Sequence, residues 1–138
     1  MCIEEDVKTY LLQYVLGEKE KLLLRNADKI YLDHCTILHH TQDTDNNSNI
    51  KLFCEHCKDV KFNVDLLLVG ISDKAMAFKV ELHGVPCAND CPHITIATFN
   101  GGKPVDSNYI TKWKPIYKTK IITTLKRIDY EKDNNRNS

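Results

Sequence analysis

The chain has 138 residues, 42% hydrophobic and 28% charged, and its basic and acidic side chains balance to a formal net charge of zero. That length buries a core without staples but leaves no room for a second domain, and the charge balance excludes broad, sequence-independent binding along a nucleic-acid backbone while leaving open a pocket for one phosphate. No apolar stretch reaches bilayer-spanning length and the N-terminus is acidic, the reverse of a secretory leader, so an intracellular, cytoplasmic protein with no membrane association is expected.

Val7, Tyr10, Leu11, Tyr14 and Val15 fall at helical spacing behind Glu4, Glu5 and Asp6, acids that a helix N-terminus favours, and predict an amphipathic first helix. Gly17 ends it or begins a second turn carrying residues 22–24. Residues 29–38 read as a strand and 41–49 as a polar loop, after which apolar character resumes over 50–53 before Cys54-Glu55-His56-Cys57. Two apolar runs, 64–71 and 75–82, are split by Ser72-Asp73-Lys74 and predict a β-hairpin. The second run alternates Met76, Phe78, Val80 and Leu82 against Ala77, Lys79 and Glu81, as a strand with one wet face does.

A loop over 84–92, a strand over 93–98 and a turn at Gly101-Gly102-Lys103-Pro104 follow. Asp106 or Ser107 caps a short helix running through Trp113, and a strand over 120–128 closes the chain. One domain over 1–130 is expected, with a disordered charged tail over 131–138. The order of elements implies an α+β chain of two lobes related by a rough internal repeat.

One phrase occurs twice in that pattern: His34-Cys35-Thr36-Ile37 and His93-Ile94-Thr95-Ile96. In a strand, residues two apart share a face, so each copy presents an imidazole beside a hydroxyl while the spacer turns into the core. Two such pairs around one pocket supply a general acid, a general base and two donors for an anion, which in-line attack on a phosphodiester requires. A third match, His39-His40-Thr41, runs into the polar loop with no apolar anchor and is set aside as accidental. Thr98, of opposite parity to His93 and Thr95, is expected to face away.

The paired phrases resemble the signature of the 2H phosphoesterase superfamily. The segment Val85-Pro86-Cys87-Ala88-Asn89, then Pro92-His93-Ile94-Thr95-Ile96-Ala97-Thr98 and Lys103-Pro104-Val105-Asp106-Ser107-Asn108 is similar to the cyclic phosphodiesterase domain of fungal and plant tRNA ligases. The related vertebrate cyclic nucleotide phosphodiesterase of myelin shares the motif strands. The resemblance covers about 29–113 and implies an α+β, compact two-lobed fold with antiparallel sheets, flanking helices and a central cleft. The short stretch between His34 and His93 implies reduced pocket loops, and with no ligase or kinase domain alongside, a free-standing hydrolase is expected.

By that resemblance His93 is the base that activates water and His34 the acid that protonates the departing 3′ oxygen of a 2′,3′-cyclic phosphate, with the reverse assignment open. Thr36 and Thr95 bond the non-bridging oxygens, and the product is a 2′-phosphate. No cofactor is needed by this scheme. Lys103 and the amides of Gly101 and Gly102 are candidates for phosphate contact, and Trp113 and Tyr109 for stacking a base, each against a plain structural role.

The substrate expected is an RNA end or oligonucleotide, acted on by a monomer. The alternatives are 2′,5′-oligoadenylates or cyclic dinucleotides, or a zinc-stabilised module that binds without catalysis. Cys54-x-x-Cys57 with Cys87-x-x-x-Cys91 has the spacing of a four-cysteine zinc site, with His56 inside the first pair. Against zinc, the second pair is spaced by three, and Cys87 lies in the tRNA-ligase-like segment, where no metal is implied.

Overall fold

Alternation is strongest around Ser72, and there the sequence forms the centre of the sheet. In the computed structural model, which describes residues 1–38, 47–89 and 91–126, β2 (Lys61–Ile71) and β3 (Ala75–Leu82) pair antiparallel, with Val64 opposite Leu82 and Ile71 opposite Met76. Ser72 Oγ closes the turn by accepting from the amides of Lys74 at 3.2 Å and Ala75 at 3.1 Å. With β1 (Lys29–Ile30), β4 (His93–Thr98) and β5 (Trp113–Thr124) these form one five-stranded antiparallel sheet in the order β1-β4-β3-β2-β5. Outside these strands, Cys2 bridges both Thr124 and His34, which links the two edges of the sheet.

The helices are α1 (Glu5–Tyr10), carried on by a π-helical turn over Leu11–Val15, then α2 (Glu18–Leu24) and α3 (Ser48–His56). They cover one face of the sheet. Leu11 and Leu16, with Phe53 partly buried, pack against Val64, Leu66, Met76, Phe78, Ile94 and Ile96, most of them wholly shielded from solvent. Lys114 on β5 pairs with Glu20 of α2, whose carboxylate is 1% exposed, so this helix is tied to the sheet by a charge that could not stay buried alone. A 3₁₀ helix, Pro104–Tyr109, lies against β3 and β4.

The α+β class holds, and the strands of the described residues form one antiparallel sheet. Of the strand expected over 29–38, Lys29–Ile30 and single bridges at His34 and Cys35 pair, because Leu32, at φ 50°, breaks the extended run. The apolar stretch 50–53 belongs to a helix, with Ile50, Phe53, Cys54 and Cys57 on one stripe. Trp113 opens β5 and does not end a helix; Ile110, at φ −67° and ψ 130°, is already extended. Nor is the second face of β3 wet throughout: Ala75 and Ala77 are fully buried under Ile110 and Trp113. The His39-His40-Thr41 match, residues 41–46 of the polar loop, positions 127 and 128 of the closing strand and the tail 131–138 lie outside the described residues.

Gly70 lets the indole lie flat on the sheet. A Cβ added there would stand 2.5 Å from Trp113 Cε3 and 2.7 Å from Ile110 Cγ2. Overpacking of this kind costs roughly 1–3 kcal/mol. Gly70→Ala is therefore expected to lower the unfolding free energy by that amount, read as a lower urea midpoint at unchanged m-value, and an unchanged midpoint would show that Trp113 is free to move aside.

Candidate active site

The two repeated phrases meet because their spacer residues pair. Cys35 bridges Ile94, and both are fully buried, so alternation turns His34, Thr36, His93 and Thr95 to the face opposite the helices. Register explains how the first phrase arrives there. From Ile30 opposite Ala97 to Cys35 opposite Ile94, the first segment advances five residues while β4 advances three, and the excess is a bulge at Leu32. The amides of Tyr31 and Leu32 still bond Ile96 O and Thr95 O, at 2.8 and 2.9 Å, so the bulge stays fastened to β4.

Downstream, the loop that precedes the second phrase holds the first. Cys87 Sγ donates to Thr36 O at 3.6 Å, Asn89 Nδ2 to the same oxygen at 3.4 Å, and Ala88 N to Ile37 O at 2.8 Å. Cys35 is a packing thiol, pushed up to about 12 by burial and secondarily by Cys87, and so is inert as a nucleophile.

The two imidazoles occupy different surroundings. His93 Nδ1 lies 3.3 Å from the Cys91 carbonyl, an assignment that puts the proton on Nδ1 and leaves Nε2 the lone pair. Burial pushes its pKa below the usual 6.5, and the charge of His34 adds to the shift, while the Cys91 carbonyl opposes it. His34 Nδ1 stands 2.8 Å from Asp33 Oδ1, and that bond holds the Asp33 carboxyl below the usual carboxylate range. Thr95 Oγ1 lies 2.9 Å from Ser107 Oγ, which is 2% exposed, and 3.5 Å from Pro104 O.

Asp33 and Ser107 touch motif side chains, and neither was singled out from the sequence for such a contact. Asp33 sits immediately before the first histidine, and Ser107 is inside the segment that carries the family likeness. Thr98 faces the core, 2% exposed, as its parity required.

The outlying candidates fare differently. Gly102 is needed where it is, since a Cβ would stand 2.3 Å from Lys74 O, and its amide donates to Phe99 O at 2.8 Å. The Gly101 amide donates to Asp28 Oδ2 at 2.7 Å, so neither amide is available to a phosphate. At Lys103 the amide donates to Asp106 Oδ2 at 2.8 Å, which leaves the candidate role of its ammonium untouched. Trp113 donates from Nε1 to Ile110 O at 3.2 Å and stands on β5, on the motifs' face of the sheet but three strands from β4. Cys54, Cys57, Cys87 and Cys91 do not converge; among the described residues, only Asp65, Glu81 and His83 bring three such ligand atoms within 4.8 Å of one another. There His83 Nε2 already bonds Asp65 Oδ2 at 2.8 Å, and Lys118 Nζ stands 3.4 Å from the same oxygen.

A five-stranded antiparallel sheet with a few helices packed on it is consistent with the fold of a 2H phosphoesterase. The profile described as the fungal tRNA ligase phosphodiesterase domain matches residues 25–133, most of the chain, and the chain belongs to that family of cyclic phosphodiesterases. No curated protein matches it.

His93 gives a test by titration. Its imidazole resonances should titrate below pH 6.5, and His34→Ala should move that midpoint upward, because the neighbouring charge is gone. The unfolded chain binds this proton more readily than the folded one, so the group withdraws stability as pH falls through 6.5 and contributes nothing well above it. A midpoint at or above 6.5 would contradict the burial of the ring.

Proposed function

We propose that the chain hydrolyses 2′,3′-cyclic phosphates at RNA or nucleotide ends to 2′-phosphates. The observation that carries this reading is the Cys35 to Ile94 pairing, which sets two imidazoles and two threonine hydroxyls on one face, one of the imidazoles held neutral. His93 Nε2 takes a proton from water as the water oxygen bonds to phosphorus. The bond from phosphorus to the 3′ oxygen breaks, and His34 gives that oxygen a proton.

A lowered pKa suits His93 to the base role, since it is deprotonated at neutral pH before substrate arrives. Asp33, bonded to Nδ1 of His34, fixes that ring's tautomer and orientation. Thr36 and Thr95 donate to the non-bridging oxygens as charge builds on them. With Ser107 donating to Thr95 Oγ1, the threonine hydrogen turns from its long 3.5 Å bond to Pro104 O toward the substrate oxygen. The family acts on RNA ends and cyclic phosphates, which supports the choice of substrate class.

His34→Ala and His93→Ala should each lower the rate on an RNA ending in 2′,3′-cyclic phosphate by about 10²–10⁴-fold, with circular dichroism unchanged. The parent's kcat/KM should follow a bell-shaped pH profile whose acid limb lies below 6.5. Near-parental rates in either variant would sink the mechanism. Turnover confined to 2′,5′-oligoadenylate or cyclic dinucleotides in a side-by-side assay would replace the substrate.

A further inference from the structure

Across the ladder from His93, on the same face, stands Lys79. Side chains directly opposite on antiparallel strands have Cβ atoms about 5 Å apart, so this lysine flanks the catalytic pair. Among the described residues its ammonium does not rest against a carboxylate. Lys118 pairs with Asp65, Lys114 with Glu20 and Lys21 with Glu18, whereas Lys79 Nζ lies over the Trp113 ring, 5.8 Å from its centroid. Among the described residues no acid forms an ion pair with it.

The surroundings hold that geometry. Thr95, Ala77, Gly70 and Trp113 are successive partners in one row across β4, β3, β2 and β5. Between Thr95 and Trp113 the row carries only a methyl group and a hydrogen, so the indole lies down on the sheet toward the motifs. It fills the space above Gly70 and presents its face to Lys79. A cation drawn over that indole stands on the motifs' face of the sheet, on the strand next to His93 and directed away from it toward β5. A second anion there would gain a charge-assisted bond without displacing any acidic partner.

Resting on the function proposed above, we propose that Lys79, held over Trp113, binds the phosphate of the nucleotide preceding the cyclic end. The enzyme then selects oligoribonucleotides over cyclic mononucleotides. One phosphate contact of this kind needs no basic surface, in keeping with a net charge of zero.

The test compares kcat/KM on a short oligoribonucleotide ending in 2′,3′-cyclic phosphate with that on the nucleoside 2′,3′-cyclic phosphate. The ratio should favour the oligonucleotide in the unmodified chain, fall roughly tenfold or more in Lys79→Gln, and recover in Lys79→Arg. An unchanged ratio in Lys79→Gln would overturn the assignment, as would a fall that Lys79→Arg does not reverse. Equilibrium binding of the product forms, an oligoribonucleotide 2′-phosphate against a nucleoside 2′-phosphate, reads the same discrimination without turnover. Discrimination that depends on Lys79 in a chain that turns over neither substrate would overturn the catalytic reading alone; binding that ignores Lys79 would overturn this one alone.

Discussion

The pairing of Cys35 with Ile94 is the constraint on which the rest of the site depends. Each is the apolar spacer between a histidine and a threonine, and each is fully buried. Because side chains alternate along a strand, burying the two spacers settles where four polar groups go. A one-residue slip would send the imidazoles into the core and the spacers into water. That slip is opposed from three directions. The bulge at Leu32 sets the approach, Met1 O receives the Cys35 amide at 2.8 Å, and the Thr36 carbonyl is held by Cys87 and Asn89. The last contact matters most for coupling, since the loop that delivers His93 is the one that grips the first motif.

Symmetry of sequence does not carry over into symmetry of environment. The two phrases differ little as text, yet one ring is half-buried against a backbone carbonyl and the other stands against a carboxylate. A single pocket needs that difference if one imidazole is to accept a proton and the other to give one. Acid and base assignments follow wherever surroundings push paired titratable groups apart. Burial lowers the pKa of His93, and the charge of His34 adds to that shift.

How much of this the sequence disclosed varies with the range of the interaction. The strands at 75–82 and 93–98 were read to their end residues, because alternation and the Ser72 turn are written within a few positions of each other. The start of β5 was not, since Pro115, Lys114 and Lys118 give that edge strand a pattern too polar to recognise, and its regular ladder is interrupted opposite Leu66 and Leu68. The motif histidines were found from spacing and family likeness. Asp33 was hidden in plain view: whether an adjacent acid bonds a ring depends on side-chain torsions that no periodicity encodes. Ser107 meets Thr95 only because a 3₁₀ helix folds back onto the sheet. For the Gly101 and Gly102 turn the sequence left phosphate contact and a plain turn both open, and in the fold both amides serve the chain itself.

Bulk charge was informative for what it excluded and silent on placement. Lysines are numerous in β5, and two of them are spent against Glu20 and Asp65, whose carboxylates lie almost wholly inside the fold. Those residues neutralise buried acids and do not make a surface potential. Lys79, the cross-strand partner of His93, owes its position to the absence of side-chain bulk two strands from His93. Without the space over Gly70 the indole could not lie flat, and without the indole Lys79 would have no reason to lean across the sheet. A glycine in mid-strand ordinarily weakens a sheet. Here that cost is offset by burial of the largest aromatic side chain of the chain against β2 and β3, so packing and the electrostatics of the site are set by the same missing atom.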